Sequence, residues 1–203
     1  VYPEGNILNE DQIKKVHLRH EEMNIFSKRS IFFQKQNSVI AIGEVFINQG
    51  DTLKLYCDSL NYNGTNKKMY AHGNVKLLNN EMELNSKNLE LDRVNNEAFF
   101  YDGGRIIDSL SDISSINGKY FINNKKYVFK NDVVVKDQDR LIESEMMDYY
   151  LDSEKTYFYK KTSIYGDGYV IKCNSGFYEP RKKQGVFVDN ASIDFDSREI
   201  YGD

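Results

Sequence analysis

The repeating pattern of this chain is clearest in Leu-Lys-Leu-Tyr-Cys-Asp-Ser-Leu-Asn-Tyr (53–62). Apolar residues stand two places before Cys57 and again three and five places after it. We call the central residue of this pattern the pivot. Further copies surround the pivots Ser86 (82–91), Ser144 (140–149) and His20 (16–25). Self-similarity at a period of 20–50 residues is typical of folds that stack one supersecondary unit.

A second short phrase recurs between the pivots. Its copies are Gly-Glu-Val (43–45), Gly-Asn-Val (73–75), Gly-Arg-Ile (104–106), Asn-Asp-Val (131–133), Thr-Ser-Ile (162–164) and Ala-Ser-Ile (191–193). The Val or Ile falls at successive distances of 30, 31, 27, 31 and 29 residues. The chain is therefore predicted to contain five to six repeats in one domain, residues 14–203. An irregular N-terminal arm, residues 1–13, is expected before it.

Alternating apolar and polar residues predict half-buried β-strands. The alternation slips by one residue after Cys57, because Leu60 and Tyr62 are apolar where strict alternation from Leu55 would select residue 61. Such a slip moves side chains to the other face unless the strand bulges or bends. We therefore expect a bend at small pivots, namely Cys57, Ser86, Gly118, Ser144 and Cys173. The returning strands are expected to bend at Gly43, Gly73 and Gly104.

Turn signals rich in Asn, Asp and Gly separate the strands, which favours antiparallel hairpins between consecutive segments. Each bent strand would then contribute to two sheets. The predicted fold is all-β, a repetitive antiparallel β-jellyroll (β-taco) of two facing sheets built from bent strands and open along one side. The stretch 107–117 is the least regular, and we expect a looser strand or a loop there.

The overall charge argues against one large class of partners. Lys and Arg number 27 against 31 Asp and Glu, a net charge of −4. Nucleic-acid binding needs a basic face that releases counterions, so no nucleic-acid partner is expected. No stretch approaches the roughly 18 apolar residues of a membrane-spanning helix.

Catalysis and metal binding find little support in the residues. No Gly-x-Ser-x-Gly, phosphate-binding loop or Cys/His constellation occurs, so the chain is not expected to be an enzyme. The acids Asp58, Glu145 and Glu21 recur beside the pivots, which indicates a structural role. His17 and His20 would lie on opposite faces of one strand, and His72 belongs to another, so no metal or cofactor is expected.

The two cysteines stand at equivalent pivots four repeats apart. With two strands per repeat, their separation would be roughly 38 Å. A disulfide requires Cα atoms within about 7 Å. Cys57 and Cys173 are therefore predicted to be free thiols that act as small apolar residues.

The inward-facing apolar side chains are the main candidate site. They are Leu53, Leu55, Leu60, Tyr62, Val75, Leu77, Leu84, Leu89, Leu91, Phe100, Phe121, Phe129, Val133, Val135, Ile142, Met147 and Tyr149. These residues can fill a closed core, since facing sheets about 10 Å apart leave no room for a ligand. They can also line an open groove that holds lipid. The pattern alone leaves both alternatives open.

The recurring phrases resemble those of the OstA-like family. Its phrase of Gly-Asn-Val, a small-Asp corner and an apolar-x-Tyr matches Gly73-Asn74-Val75 and Cys57-Asp58-Ser59-Leu60-Asn61-Tyr62. A middle passage, with Leu110, 115–120 and 127–133, is also similar. The likeness covers roughly residues 14–196. It departs at His20, which stands at a usually small corner, and at Thr162 and Ala191, which stand in place of glycine.

The resemblance implies a function as well as a fold. Members such as LptA and the N-terminal domain of LptD transport lipopolysaccharide, so the inward set would shield its acyl chains. The partners would be other Lpt-type β-jellyroll proteins, or further copies of this chain, stacked through end strands. The sequence as given starts with no secretory signal, yet the resemblance implies the periplasm. The alternative is a structural or adhesion array with a closed core and no lipid.

Overall fold

The structure is a computed structural model of the 203-residue chain. It describes residues 16–20, 23–50, 53–79, 82–109, 111–137, 139–182, 184–195 and 198–202. The predicted N-terminal arm, 1–13, lies outside these residues. The chain comprises two compact units, residues 1–102 and 103–203. A single domain over 14–203 stays a prediction.

Strands dominate the first unit. They are β1 (Val16–His20), β2 (Met23–Ser27), β3 (Arg29–Phe33), β4 (Ser38–Gln49), β5 (Leu53–Asn63), β6 (Lys68–Leu78), β7 (Met82–Asp92) and the first part of β8 (Glu97–Asp108). A single 3₁₀ turn, Gln34–Gln36, precedes β4. Consecutive long strands pair as antiparallel hairpins, as the turn signals predicted.

The second unit continues the same architecture. After the end of β8 come β9 (Asp112–Ser115), β10 (Asn117–Phe121), β11 (Lys126–Lys136), β12 (Leu141–Tyr150), β13 (Lys155–Phe158), β14 (Thr162–Gly166), β15 (Tyr169–Cys173), β16 (Ser175–Glu179), β17 (Gln184–Val188), β18 (Ala191–Phe195) and β19 (Arg198–Gly202). Two 3₁₀ turns, Ile122–Asn124 and Pro180–Lys182, lie between strands. The prediction of an all-β antiparallel fold is confirmed.

Each long strand takes part in two hydrogen-bonded ladders. In β5, residues 53–57 pair with 45–49 of β4, whereas residues 59–63 pair with 38–42. In β12, residues 141–144 pair with β14 and residues 147–150 pair with β13. In each unit we call the ladder before the pivot ladder 1; it contains residues 53–57 in the first unit and 141–144 in the second. The ladder after the pivot is ladder 2; it contains residues 59–63 in the first unit and 147–150 in the second. The strands therefore bend between two sheets in each unit, as predicted.

The bend is a bulge with a constant form. Pairing of β4 with β5 passes from Ile42↔Ser59 to Val45↔Cys57, so two residues of the returning strand face one residue of its partner. Both extra residues have positive φ. The pairs are Gly43-Glu44, Gly73-Asn74, Asp102-Gly103, Asn131-Asp132 and Asp189-Asn190. Gly, Asn and Asp tolerate this conformation best, so their recurrence at the corners has a steric cause.

The repeat is more regular in the structure than in the sequence pattern. The paired corner residues are Val45↔Cys57, Val75↔Ser86, Gly104↔Ser115, Val133↔Ser144 and Thr162↔Cys173. The pivots from Cys57 to Cys173 thus recur every 29 residues, with Ser115 as the middle one. The prediction of Gly118 as a pivot is wrong. The stretch 107–117, predicted to be irregular, contains strand β9 and this corner.

Three residues predicted at the bulge position need correction. Gly104, Thr162 and Ala191 occupy the position of Val133 rather than that of a bulge glycine. The residue with positive φ is therefore Gly103, at +98°, and not Gly104. The prediction had aligned the large residue two places after each of them with Val133, and this shifted the pattern by two residues.

The first pivot is Ser27 instead of His20. Strand β1 pairs with β2 without a break from Val16↔Ser27 to His20↔Met23. The Ser27 hydroxyl donates to the carbonyl of Arg29, two residues on, at 2.9 Å. The hydroxyls of Ser86, Ser115 and Ser144 make the same contact two residues on. A small hydroxyl side chain at the pivot therefore makes a hydrogen bond across the bend, to the carbonyl two residues on.

Two glycine substitutions separate backbone strain from side-chain contact at the corners. A Cβ on Gly103 meets nothing within 4 Å, so Gly103→Ala is expected to cost only the left-handed strain, about 1–2 kcal/mol. A Cβ on Gly73 would overlap the Asp58 carboxylate, which accepts a 2.8 Å hydrogen bond from Asn74 Nδ2. Gly73→Ala should cost about 1 kcal/mol more, measured by denaturant unfolding. In an Asp58→Ala background this excess should vanish; an excess that persists contradicts the contact.

Candidate functional site

The inner faces of both ladders are apolar and buried. In β5, Leu55 and Cys57 before the corner and Leu60 and Tyr62 after it are all buried. The bulge corrects the slip in alternation, so one strand keeps its apolar side chains on the same side through the bend. The inner faces of the two ladders therefore cover each other.

Most of the predicted inward set occupies this interior. Fifteen of its members are at most 7% exposed, namely Leu55, Leu60, Tyr62, Val75, Leu77, Leu84, Leu89, Leu91, Phe100, Phe129, Val133, Val135, Ile142, Met147 and Tyr149. Leu53 is on the same face but half-buried at a hairpin end. The interior is thus a packed apolar layer, and a ligand among these side chains requires the ladders to separate.

The inward placement of Phe121 is wrong. Its ring centroid lies 4.6 Å from Nζ of Lys119, and both residues are on the half-buried outer face of β10. Its neighbour Tyr120 faces inward instead and stacks on Tyr127 at 4.3 Å between ring centroids. The mistake follows from the misplaced pivot, because residue 121 is three places after Gly118 whereas Tyr120 is five places after Ser115.

An outer aromatic row in the first unit was also missed. His17 stacks on Phe26 at 4.4 Å between ring centroids, and Phe46 stacks on Tyr56 at 4.9 Å. Phe26 and Phe46 are 5.8 Å apart and link the two pairs. These residues are cross-strand neighbours on ladder 1, where aromatic pairs stabilise a sheet. The signal in the sequence was one aromatic residue at the same rung of successive strands.

The structural role predicted for the corner acids is supported by a side-chain contact at Asp58. Asp58 is the single residue opposite the bulge of β6, and its Oδ2 accepts the hydrogen bond from Asn74. Glu145 has the equivalent place in β12, where its backbone N–H donates to the Lys161 carbonyl at 3.1 Å. Glu21 lies outside the described residues. The Asp58 carboxylate therefore contacts its corner directly, whereas Glu145 contributes its backbone N–H.

The histidines have separate partners. His17 Nε2 lies 2.9 Å from Asn24 Oδ1, and His72 Nδ1 lies 2.9 Å from Asn88 Oδ1. Among the described residues, no three His, Cys, Asp or Glu side chains form a group that could hold a metal ion. Within the same part of the chain, no helix is long and apolar enough to cross a membrane.

In the second unit the side opposite the corners has polar contacts. The Arg140 guanidinium on ladder 1 lies 4.5 Å from the ring centroid of Tyr178 on ladder 2. Tyr149 of ladder 2 hydrogen-bonds Ser111, just before β9 of ladder 1. Burial, together with the charge of Asp108, raises the pKa of Tyr149 to about 12, so its hydroxyl stays neutral. Side chains from both ladders therefore meet there around a cavity of about 210 Å³.

Strands bent at regular corners around an apolar interior define a repeating β-jellyroll class of protein. The chain matches the family described as OstA-like protein over residues 6–145. It therefore belongs to the OstA-like family.

A solved structure to which the chain is similar is LptH of Pseudomonas aeruginosa, described as the LptA-homologous periplasmic component of the lipopolysaccharide transport device. The two are 12% identical over 63% of this chain and 74% of that chain, with a TM-score of 0.29. The family assignment rests on the family match and not on this distant likeness. Comparison with curated proteins finds no match.

The two corner thiols are expected to be unreactive in the folded protein. Both are free and buried, and burial raises the pKa of Cys57 to about 12 and that of Cys173 to about 11. Because the thiolate is the nucleophile, the raised pKa alone should slow the reaction of Cys57 at pH 8 by about 10³-fold relative to the unfolded chain. The rate of reaction with a disulfide reagent is measured for Cys57 in the Cys173→Ala variant and for Cys173 in the Cys57→Ala variant. Rapid labelling under native conditions would contradict burial at that corner.

Proposed function

We propose that this protein transports lipopolysaccharide in the periplasm and shields its acyl chains between the two ladders. Membership of the OstA-like family supports the transport role. The observation that carries the proposal is the apolar inner face, which strands such as β5 keep on both sides of the corner. The lipid-binding residues would be the inward set without Phe121.

Lipid binding in such an interior is an exchange of apolar contacts. Burial of a methylene stabilises by about 0.8 kcal/mol, so about ten methylenes would contribute on the order of 8 kcal/mol. The ladders must first lose their contacts with each other, which reduces the net gain. An acyl chain would then replace the facing ladder as the cover of residues such as Leu89 and Phe129, which are 1% and 0% exposed.

The ladders would separate on the side away from the corners. At a corner, one strand continues covalently from ladder 1 to ladder 2, as β11 and β12 do. In the described part of the second unit, the opposite side is linked through side chains such as Arg140 and Tyr178. Side-chain contacts can break without loss of a backbone ladder, so this side is the natural entrance.

Assembly with other Lpt-type β-jellyroll proteins, or with further copies of this chain, would use exposed strands. Strand β19 pairs with β18 and exposes Ile200 and Tyr201 by 62% and 74%. A strand with unpaired backbone groups can accept a strand from another protein. We place the stacking contact on this strand.

The rival function is a structural or adhesion array. The near-complete burial of the inner face favours it, since a closed core needs no ligand. The two functions differ in one property: a carrier takes up lipopolysaccharide between its ladders, whereas a structural array excludes it.

Photo-leucine incorporation distinguishes these functions with little change in side-chain volume. The labelled protein is incubated with lipopolysaccharide and irradiated, and the adducts are located by mass spectrometry of peptides. Adducts are expected at inner Leu55, Leu60 and Leu89. The half-buried outer residues Leu78 and Leu141 are controls in the same molecule.

The distribution of adducts decides the outcome. Adducts confined to the inner leucines support a carrier. Adducts on the outer leucines alone would show that lipid adheres to the surface of a closed array. If lipopolysaccharide leaves no adduct anywhere while a soluble photoreactive control labels normally, the transport function is wrong.

A further inference from the structure

The cavity opposite the corners of the second unit is built around one arginine. Arg140 belongs to the turn between β11 and β12, four residues before the pivot Ser144. Tyr149 and Tyr178 each stand five residues after a pivot on ladder 2, and all three residues line the cavity. The cavity therefore lies between the ladders at the end away from the corner, where a ligand of the interior would emerge.

The arginine is held in place by its own turn. Asp137 Oδ1 accepts hydrogen bonds from the backbone N–H groups of Asp139 at 3.0 Å and Arg140 at 2.8 Å. Asp137 Oδ2 accepts a further bond from Arg140 Nη2. The guanidinium also rests against the Tyr178 ring, and the Arg140 side chain is only 13% exposed.

One nitrogen of this fixed guanidinium has no partner among the residues that the structure describes. Nη1 of Arg140 is buried and makes no hydrogen bond within the described part of the chain. A buried donor without an acceptor costs about 1–3 kcal/mol, more for a charged group, so an orphaned guanidinium nitrogen calls for an explanation. A cavity of about 210 Å³ is many times the roughly 10–15 Å³ that one water needs. The site can therefore hold a polar group larger than water.

The charges around the cavity select the kind of ligand. Of the residues that the structure describes, three with carboxylates line it, namely Asp137, Asp139 and Glu154, against one cation, Arg140. Arg181 adds a second positive charge nearby, but it is bound to Glu154 Oε1 through Nε at 3.1 Å and Nη2 at 3.0 Å. Excess negative charge disfavours an anion such as phosphate. Neutral hydroxyl groups suit both the guanidinium and the carboxylates, because a hydroxyl accepts a hydrogen bond from a guanidinium and donates one to a carboxylate.

We propose that this cavity binds a sugar ring, with Arg140 Nη1 donating a hydrogen bond to a sugar oxygen and the Asp139 and Glu154 carboxylates accepting from hydroxyl groups. Two sources share this chemistry, namely the headgroup of a glycolipid whose acyl chains lie between the ladders, and a free saccharide. The glycolipid source rests on the proposed function. The sugar site itself does not.

Matched amphiphiles test the site by calorimetry below their micellar concentrations. Dodecyl maltoside and dodecylphosphocholine have the same alkyl chain, and only the first has a sugar. Arg140→Gln is expected to weaken dodecyl maltoside binding about tenfold and to leave dodecylphosphocholine within about twofold. The control Arg105→Gln removes an arginine that pairs with Asp112 away from the cavity, and it should change neither affinity.

A second variant protects the test against misfolding. Asp139 is exposed at the cavity, so Asp139→Asn should fold normally and weaken dodecyl maltoside binding about threefold. Equal losses for both amphiphiles in Arg140→Gln would overturn the proposal, because Arg140 would then serve only to join the ladders. If both amphiphiles bind the unaltered protein with equal affinity, the proposal is overturned as well.

Failure of the proposed function has a different signature. If lipopolysaccharide leaves no photo-leucine adduct, lipid carriage is wrong. If neither amphiphile binds either, methyl glucoside observed by saturation-transfer NMR decides the sugar site alone. A transfer signal that Arg140→Gln abolishes supports the site, and no signal from the unaltered protein overturns it. Where both probes bind, a maltoside affinity at least tenfold above that of the methyl glucoside assigns a glycolipid; similar affinities assign a free saccharide.

Discussion

The structure depends on a strand that bends without turning its apolar side chains outward. A plain bend would break the alternation, because side chains of a strand change face at every residue. Here two residues with positive φ on the returning strand face one residue of the partner, as Gly73 and Asn74 face Lys87. The bulge absorbs the slip, so Leu84 and Leu89 both point inward across the corner at Ser86. Repetition of this single device builds both ladders.

The two sides of each ladder pair are held by different interactions. Continuous strands and bulges join the ladders at the corners. Within ladder 1, a 2.8 Å hydrogen bond between the hydroxyls of Ser144 and Thr162 lies beside the corner. In the second unit, the far side is joined by Arg140 on Tyr178 and by Tyr149 with Ser111. Covalent continuity at one side and replaceable side-chain contacts at the other suit an interior that opens in one direction. This asymmetry connects the proposed carrier function with the proposed sugar site.

Predictions from the sequence were correct where the residue pattern has a single local cause. Period-2 alternation predicted the strands, and the slip after Cys57 predicted the bulge, since both follow from local stereochemistry. The predictions were wrong where the position of a corner depends on the register between strands. Gly118 looked like a pivot because it is small, yet it is the inner residue three places after Ser115, and Phe121 was misplaced as a result. His20 and Gly104 were misassigned for the same reason: cross-strand pairing, which defines a corner, is not a local property.

The sequence by itself determined the all-β class, the repeat of about 30 residues, the family resemblance and most of the inward apolar set. Alternation, and residues that tolerate positive φ, can be recognised within a short stretch of chain. Only the tertiary structure decided that the inner face is closely covered and that Arg140 meets Tyr178. These residues are 38 positions apart, on different ladders, and no periodicity links them. Burial and long-range juxtaposition depend on how the strands pair and on how the ladders face each other, so they have no signature in a single stretch of chain.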